Sequence, residues 1–107
     1  DMQAMLDSKC SQHLIAIKEA NDIYAEIFVM DNQGANTCMT DKTSDYWQGD
    51  EAKFQKSFAQ GKGAIHIGKV KFDESSQAYL VQISVPVKDE KKVIGAITFG
   101  IDIEELD

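Results

Sequence analysis

The sequence predicts an α+β domain with two layers, in which a long N-terminal helix covers one face of a five-stranded antiparallel sheet. Apolar residues recur at three- and four-residue spacing over residues 2–21, as in an amphipathic helix. Five later segments have the composition of strands, and short polar turns join consecutive ones, which favours antiparallel pairing. A chain of 107 residues supports one hydrophobic core. We therefore expect one domain over residues 1–107, with a helix at 1–21 and a sheet-containing core at 23–106.

The N-terminal helix is predicted from its apolar stripe, which ends at Asn21 and Asp22. Polar and charged residues occupy the opposite side, so the helix should bury one face on the sheet. The predicted stripe consists of Met2, Met5, Leu6, Cys10, His13, Leu14, Ile17 and Ala20.

A β-hairpin follows this helix. Residues 23–30 and 35–40 read as strands, and Asp31-Asn32-Gln33-Gly34 between them has the composition of a tight turn. Residues 41–49 then form a loop with two adjacent aromatic residues. Asp50 is predicted to cap a short helix over residues 51–60.

Three strands complete the predicted sheet, over residues 64–72, 77–87 and 93–103. In the first of them, His66, Val70 and Phe72 alternate onto one face. In the other two, a less apolar face carries Gln82, Ser84 and Thr98. Pro86, which cannot donate a backbone hydrogen bond, indicates an edge or an exit from pairing.

Charge and composition exclude some partners. The net charge is −7, which argues against binding to nucleic acid or to an anionic membrane surface. All of the basic residues are lysines, so the planar two-point contact that arginine makes with carboxylates and phosphates is absent. No apolar run approaches the ~18 residues that a membrane-spanning helix needs.

The two cysteines, Cys10 and Cys38, leave two interpretations open. They could form a disulfide in an oxidising compartment. Alternatively, each could be a small buried hydrophobic residue, as the position of Cys10 on the apolar face of the helix suggests.

The order of elements and four sequence segments resemble the single Cache domain, also called the PDC sensor domain, of extracytoplasmic PAS-like sensors. The segments are residues 27–34 (IFVMDNQG), 44–51 (SDYWQGDE), 83–89 (ISVPVKD) and 93–102 (VIGAITFGID). Together they extend the resemblance over about residues 23–106. The resemblance implies a ligand-sensing domain outside the cytoplasm, either in a membrane receptor that extends beyond these residues or as a free periplasmic protein.

The resemblance also implies where the ligand binds. In this family the pocket lies on the sheet face away from the long helix, under the loop and short helix that follow the second strand. The best-defined pockets of the family bind carboxylates with arginine or several bases. Because this chain has no arginine, we carry over no ligand identity from those members.

Candidate ligand-binding residues follow from this arrangement, and each has a structural alternative. Tyr46 and Trp47 could form the roof of the pocket or could anchor the loop by packing, and Asp45 is the acid of the loop that is most free to meet a ligand. His66 could be a donor in the pocket floor or a core histidine with satisfied hydrogen bonds. The polar groups of Gln82, Ser84 and Thr98 need partners, which could be a ligand, water or the roof loop.

We predict neither a metal site nor catalysis. Asp41, Asp45, Asp50 and Glu51 could supply oxygen ligands, but their spacing matches no EF-hand and such charge runs are usually solvated. Cys10, His13 and Cys38 lack an evident fourth ligand for zinc. No phosphate-binding glycine loop, nucleophile elbow or HExxH motif is present, so we expect no cofactor and no enzyme activity.

Two functional hypotheses remain. The leading one is a sensing module that binds a small molecule of unidentified structure, with the first helix as a possible homodimer contact. The alternative is an interaction module that dimerises through the helix at residues 2–17 and binds no small ligand.

Overall fold

The computed structural model describes residues 4, 6–41, 49–74 and 77–106, and within them it confirms the α+β architecture with an antiparallel sheet. The described elements are α1 (Lys9–Glu19), β1 (Tyr24–Asp31), β2 (Asn36–Met39), α2 (Ala52–Phe58), β3 (His66–Ile67), β4 (Lys71–Asp73), β5 (Ala78–Asp89) and β6 (Lys92–Asp102). Short 3₁₀ turns cover Ala59–Gly61 and Ile103–Leu106. The order of these strands across the sheet is β2-β1-β6-β5, and β3 and β4 both pair with β5.

The first hairpin forms as predicted because Asp31 organises its turn. The Asp31 carboxylate accepts hydrogen bonds from the backbone N–H groups of Gln33 at 2.8 Å and Ala35 at 3.1 Å. Gly34 adopts a φ of 86°, a left-handed conformation that glycine takes without a steric penalty.

The predicted strand at residues 64–72 is in fact two short strands, and this changes which side chains share a face. His66 pairs with Ser84 in β3, whereas Phe72 pairs with Tyr79 in β4. The two registers differ by one residue, and a one-residue shift moves side chains to the opposite face. The prediction that His66 and Phe72 lie on one face is therefore wrong.

The helix predicted over residues 2–21 is interrupted at Asp7 and Ser8, after the helical residues Ala4 and Leu6. Helix α1, which follows the interruption, presents a different side to the sheet than predicted. It begins at Lys9, and the Ser8 hydroxyl accepts a hydrogen bond from the Ser11 N–H at 3.1 Å, as in a helix N-cap. The residues that α1 buries are Ser11 and Leu14. His13, which we placed in the apolar stripe, is exposed. The Ser11 hydroxyl instead fills a buried position by accepting a hydrogen bond from Met39 N–H at 2.9 Å.

A disulfide and an ion pair also hold α1 beside β2. Cys10 and Cys38 are disulfide-bonded, with their Cα atoms 5.7 Å apart. Near the end of the helix, Lys18 Nζ lies 2.9 Å from a carboxylate oxygen of Asp41. These contacts fix α1 to the segment that leads out of β2.

Helix α2 starts one residue later than predicted. Glu51, not Asp50, occupies the residue before its first turn, and no side chain makes a capping hydrogen bond there. The predicted capping role of Asp50 is therefore wrong. At the other end, the helix ends at Phe58 and not at the predicted residue 60, because Ala59 adopts a left-handed conformation with a φ of 50°.

The two helices cover opposite faces of the sheet. On one face, Leu14 of α1 packs with Ile27 and Cys38. On the other face, Phe54 of α2 joins a buried cluster with Phe28 and Met30. No helix within the described ranges is both long and apolar enough to cross a membrane.

Candidate ligand-binding cleft

A cleft of about 590 Å³ lies between α2, the sheet face beneath it and the β3–β4 segment. Its size is within the range of small-molecule sites in proteins. Most of its lining residues are charged or polar, so a ligand here would meet several hydrogen-bonding and ionic groups. The titratable lining residues are Glu26, Glu51, Lys53, Lys56, His66, Lys69, Lys71 and Asp73.

The floor of the cleft is built by one row of residues across three strands. Glu26 of β1 pairs with Gly100 of β6, and Gly100 pairs in turn with Gln82 of β5. The Glu26 side chain lies across Gly100, and its Oε2 accepts a hydrogen bond from Gln82 Nε2 at 3.0 Å. A Cβ atom at Gly100 would lie 2.5 Å from Glu26 Cγ and 2.9 Å from Oε2. The glycine therefore provides the space in which the carboxylate lies.

Burial dominates the electrostatics of Glu26. Removal of the carboxylate from water raises the pKa of Glu26 above its ordinary value, because the charged form loses hydration. The hydrogen bond from Gln82 and the charge of Lys53 lower this pKa, while the charges of Asp73 and Asp41 raise it further. In the described part of the chain, no lysine or histidine nitrogen lies within 4.0 Å of Glu26.

Lysines line the cleft beside this buried acid. Lys53 of α2 is held above the Phe28 ring, with Nζ 5.5 Å from the ring centroid. Lys56 comes from the same helix, and Lys69 and Lys71 come from the β3–β4 segment. The cleft thus has an acidic group on the sheet and basic groups on the elements that flank it.

The structure brings only some of the predicted site residues to this cleft. His66 and Gln82 line it. Ser84 and Thr98 do not line it; they are fully buried, and their hydroxyl oxygens are 2.7 Å apart in a hydrogen bond. Each of these two hydroxyls is therefore the hydrogen-bond partner of the other. From the sequence we had considered only a ligand, water or the roof loop as their partners.

Asp45, Tyr46 and Trp47 lie outside the described residues. Their predicted roles in the roof of the site therefore remain predictions. The described residues on either side are Asp41, which is paired with Lys18, and Gly49. Glu51, two residues beyond Gly49, lines the cleft.

Sequence reasoning missed Glu26 and Gly100. A signal was present, because Glu26 is an acid inside the apolar run of β1, in phase with the buried Phe28 and Met30. A charged residue on a buried strand face needs a partner or a function. Gly100 gave no comparable signal, since its role depends on the side chain of a neighbouring strand.

The described residues include no cluster of three or more His, Cys, Asp or Glu side chains that could hold a metal ion. Asp41 is instead paired with Lys18, at 2.9 Å.

An antiparallel sheet with one helix on each face and a polar cleft beneath the second helix defines the class of PAS-like sensor domains. A family model described as the first PDC sensor domain of methyl-accepting chemotaxis protein-like receptors matches residues 4–107. The chain belongs to this family. Domains of this kind are ligand-binding modules of receptors and histidine kinases and are not enzymes themselves.

Solved structures share this fold at low sequence identity. The sensory domain of the Campylobacter jejuni chemoreceptor Tlp3 matches with a TM-score of 0.69 and 14% identity over 99% of this chain and 47% of that one. The sensor domain of the Vibrio cholerae histidine kinase DctB matches with a TM-score of 0.66 and 16% identity, over 89% of this chain and 37% of that one.

A third structure is the ligand-binding domain of the Pseudomonas aeruginosa amino acid chemoreceptor PctC in complex with GABA. It has a TM-score of 0.61 and 15% identity, over 78% of this chain and 37% of that one. The chain therefore spans less than half of the length of these structures. No curated protein matches the sequence.

Proposed function

We propose that residues 1–107 form one extracytoplasmic sensing unit that binds a small organic molecule in the cleft between α2 and the sheet. The observation that carries the proposal is the cleft itself: a cavity of about 590 Å³ with a partly buried carboxylate on its floor and lysines along its sides. The volume of this concave site is in the range of small-molecule sites, and its converging polar groups could orient a charged ligand. It also favours the sensing hypothesis over a module that binds no ligand.

The Cys10–Cys38 disulfide supports a location outside the cytoplasm. Disulfides persist in oxidising compartments such as the bacterial periplasm and are rare in the cytosol. Since the chain spans less than half of the matched receptor structures, we propose that it acts as the sensing part of a longer membrane receptor.

Signal transfer would begin with a shift of α2 relative to the sheet. Helix α2 contacts β5, β6 and β3. A ligand in the cleft would touch α2, β3 and β5, and a shift of α2 would act on β6 through the contacts between them. Strand β6 continues directly into the 3₁₀ turn Ile103–Leu106. We propose that this strand carries the displacement toward the C-terminal end of the unit.

Amino acids and related amines are the first compounds to test. The matched structures include Tlp3 with L-valine and PctC with GABA. A panel of amino acids, amines, organic acids and metal ions would be screened by thermal shift and then by calorimetry. A saturable rise in melting temperature with at least one organic compound is expected, and a complete lack of response to the panel would contradict the proposal.

A pair of charge reversals locates the binding site. Lys56→Glu changes an exposed residue that lines the cleft, whereas Lys62→Glu makes the same change at an exposed residue outside it. Binding of an anionic or zwitterionic compound should weaken at least fivefold in the first variant and stay within twofold in the second. Equal effects in both variants would place binding elsewhere.

Dimerisation through the first helix is the second candidate function, and one observation supports it. Ile17 is 37% exposed, and Cys10 and His13 are exposed on the same helix. Sedimentation at several concentrations would test it with Ile17→Asp, which should shift a dimer toward monomer. Leu14, only 6% exposed, is unsuitable for this test because its replacement would destabilise the fold.

A further inference from the structure

Glu26 is a carboxylate with an incomplete set of partners at the bottom of a cleft. Its Oε2 accepts one hydrogen bond, from Gln82, and the described residues provide no other hydrogen bond to this side chain. A carboxylate can accept several hydrogen bonds. Glu26 Oε1 is therefore available to a molecule that enters the cleft.

The charge of Glu26 is also uncompensated at short range. Lys53 is the basic residue that most lowers the pKa of Glu26, yet its ammonium group lies over the Phe28 ring and forms no ion pair with Glu26. Asp73 of β4 and Asp41 after β2 act on Glu26 with charge of the same sign. A partly buried carboxylate in such surroundings is stabilised in its charged form by a cation that comes close to it.

We propose that Glu26 is the residue that receives a protonated amine of the ligand, and that amine binding is coupled to loss of a proton from this carboxyl group. This inference rests on the proposed function, and it names the charged group that the ligand must carry. The amine would lie beside the Glu26 carboxylate, in the cleft that Gln82 and His66 also line. The lysines along the sides are placed to meet an anionic group at the other end of a zwitterion.

The sign of the pH dependence follows from this coupling. Burial raises the pKa of Glu26 in the empty cleft, and a bound ammonium group lowers it again because it stabilises the carboxylate. Affinity for an amine should therefore increase as the pH rises, by up to tenfold per pH unit, and level off above the pKa of the empty state. Binding of an anion without an amine would show no such increase.

The other charged groups of the cleft could add to this dependence, so the test must separate them from Glu26. Those that face the same space are Glu51, Lys53, Lys56, His66, Lys69, Lys71 and Asp73. His66 is the histidine among them. His66→Asn is accordingly one control, and Glu19→Gln, an exposed acid on α1, is the control for a change in net charge.

The experiment uses three compounds of similar length: GABA with both charges, n-butylamine with the amine alone, and butyrate with the acid alone. Their dissociation constants for the 107-residue chain would be measured by ligand-observed NMR between pH 5 and 8. GABA and n-butylamine should bind more tightly as the pH rises, and Glu26→Gln should weaken both at pH 8 by at least tenfold and abolish the pH dependence. The two control variants should keep that dependence.

Several results would overturn the inference. One is amine binding that is unchanged in Glu26→Gln, and another is amine affinity that does not depend on pH in the wild type. Binding of butyrate or other panel compounds in the absence of any amine binding would also overturn it while leaving the sensing function intact. If no compound of the trio or the panel binds at any pH, the proposed function itself fails.

Discussion

Gln82 and Glu26, 56 residues apart in sequence, are joined by a hydrogen bond of 3.0 Å that crosses the backbone of β6 at Gly100. This contact links three strands on the face that α2 covers. It also sets the position of the partly buried carboxylate in the candidate cleft.

Replacement of Glu26 by Gln should stabilise the empty domain at neutral pH. The pKa of Glu26 is raised in the folded state above its ordinary 4.5, so the folded state binds this proton more tightly than the unfolded state. The wild type therefore loses stability relative to the variant as pH rises above 4.5, by at most about 1.4 kcal/mol per pH unit.

Urea denaturation of both proteins at several pH values would measure this difference. Its pH-dependent part should vanish well below pH 4.5, where Glu26 is protonated in both states, and become constant above the folded-state pKa. Glu19→Gln should show no such curve. If Glu26→Gln is less stable than the wild type at pH 7, the surroundings stabilise the ionised Glu26 carboxylate, and the prediction is wrong.

Two glycines of β6 should differ in their tolerance of alanine. A Cβ atom at Gly95 would collide with the backbone carbonyl of Met30, whereas a Cβ atom at Gly100 would meet the movable side chain of Glu26. Gly95→Ala should therefore reduce the free energy of unfolding by about 3 kcal/mol or more, and Gly100→Ala by about 1–2 kcal/mol.

A double variant tests the reason given for Gly100. With Glu26→Ala in place, Gly100→Ala should become nearly neutral, since the atom that it displaces is gone. Chemical denaturation of the two single variants and the double variant gives the coupling energy. If the changes in unfolding free energy of the two single variants add up to that of the double variant, contact with Glu26 is not the reason why position 100 needs a glycine.

The hydroxyls of Ser84 and Thr98 should act as one unit. Both residues are fully buried and bond each other at 2.7 Å. Ser84→Ala or Thr98→Val alone leaves a buried hydroxyl without this partner and should reduce the free energy of unfolding by about 1–3 kcal/mol. The double variant should lose clearly less than the sum of the two, and neither change should alter ligand affinity by more than twofold, because neither residue lines the cleft.

Reduction of the Cys10–Cys38 disulfide should destabilise the domain. The bond closes a loop with a sequence separation of 28, for which its loss removes about 3–4 kcal/mol of stability. The melting temperature with and without reductant would measure this effect. The variant Cys10→Ser with Cys38→Ala should melt like the reduced protein and should not respond to reductant, since the chain contains no other cysteine.

Local sequence patterns predicted most of the fold. The turn at Asp31–Gly34 could be predicted from the sequence because its hydrogen bonds connect residues within five positions of each other. The alternation in β5 and β6 showed which residues share a face, since that depends only on the two-residue period of a strand. The break at residues 68–70 could not be read, because the shift from the His66–Ser84 pair to the Lys71–Leu80 pair depends on the partner strand.

The site was less predictable than the fold. Gln82 and Ser84 looked equivalent in sequence, but Ser84 is opposite Thr98 and bonds it, while Gln82 is opposite a glycine and reaches the cleft. A side chain's partner on a neighbouring strand decides whether it is satisfied internally or is available to a ligand. For these two residues, that partner is set by the register between β5 and β6.

The sequence by itself determined an acidic, arginine-free α+β domain with a hairpin, a short covering helix and three further strands. These properties follow from composition, periodicity and turn chemistry, which are local. Only the tertiary structure decided that Glu26 lies in the cleft, that Gly100 makes room for it and that Ser84 and Thr98 bond each other. The physical reason is that burial and hydrogen-bond pairing arise between strands, where side-chain atoms of residues 14 and 56 positions apart come within 3.0 Å of each other.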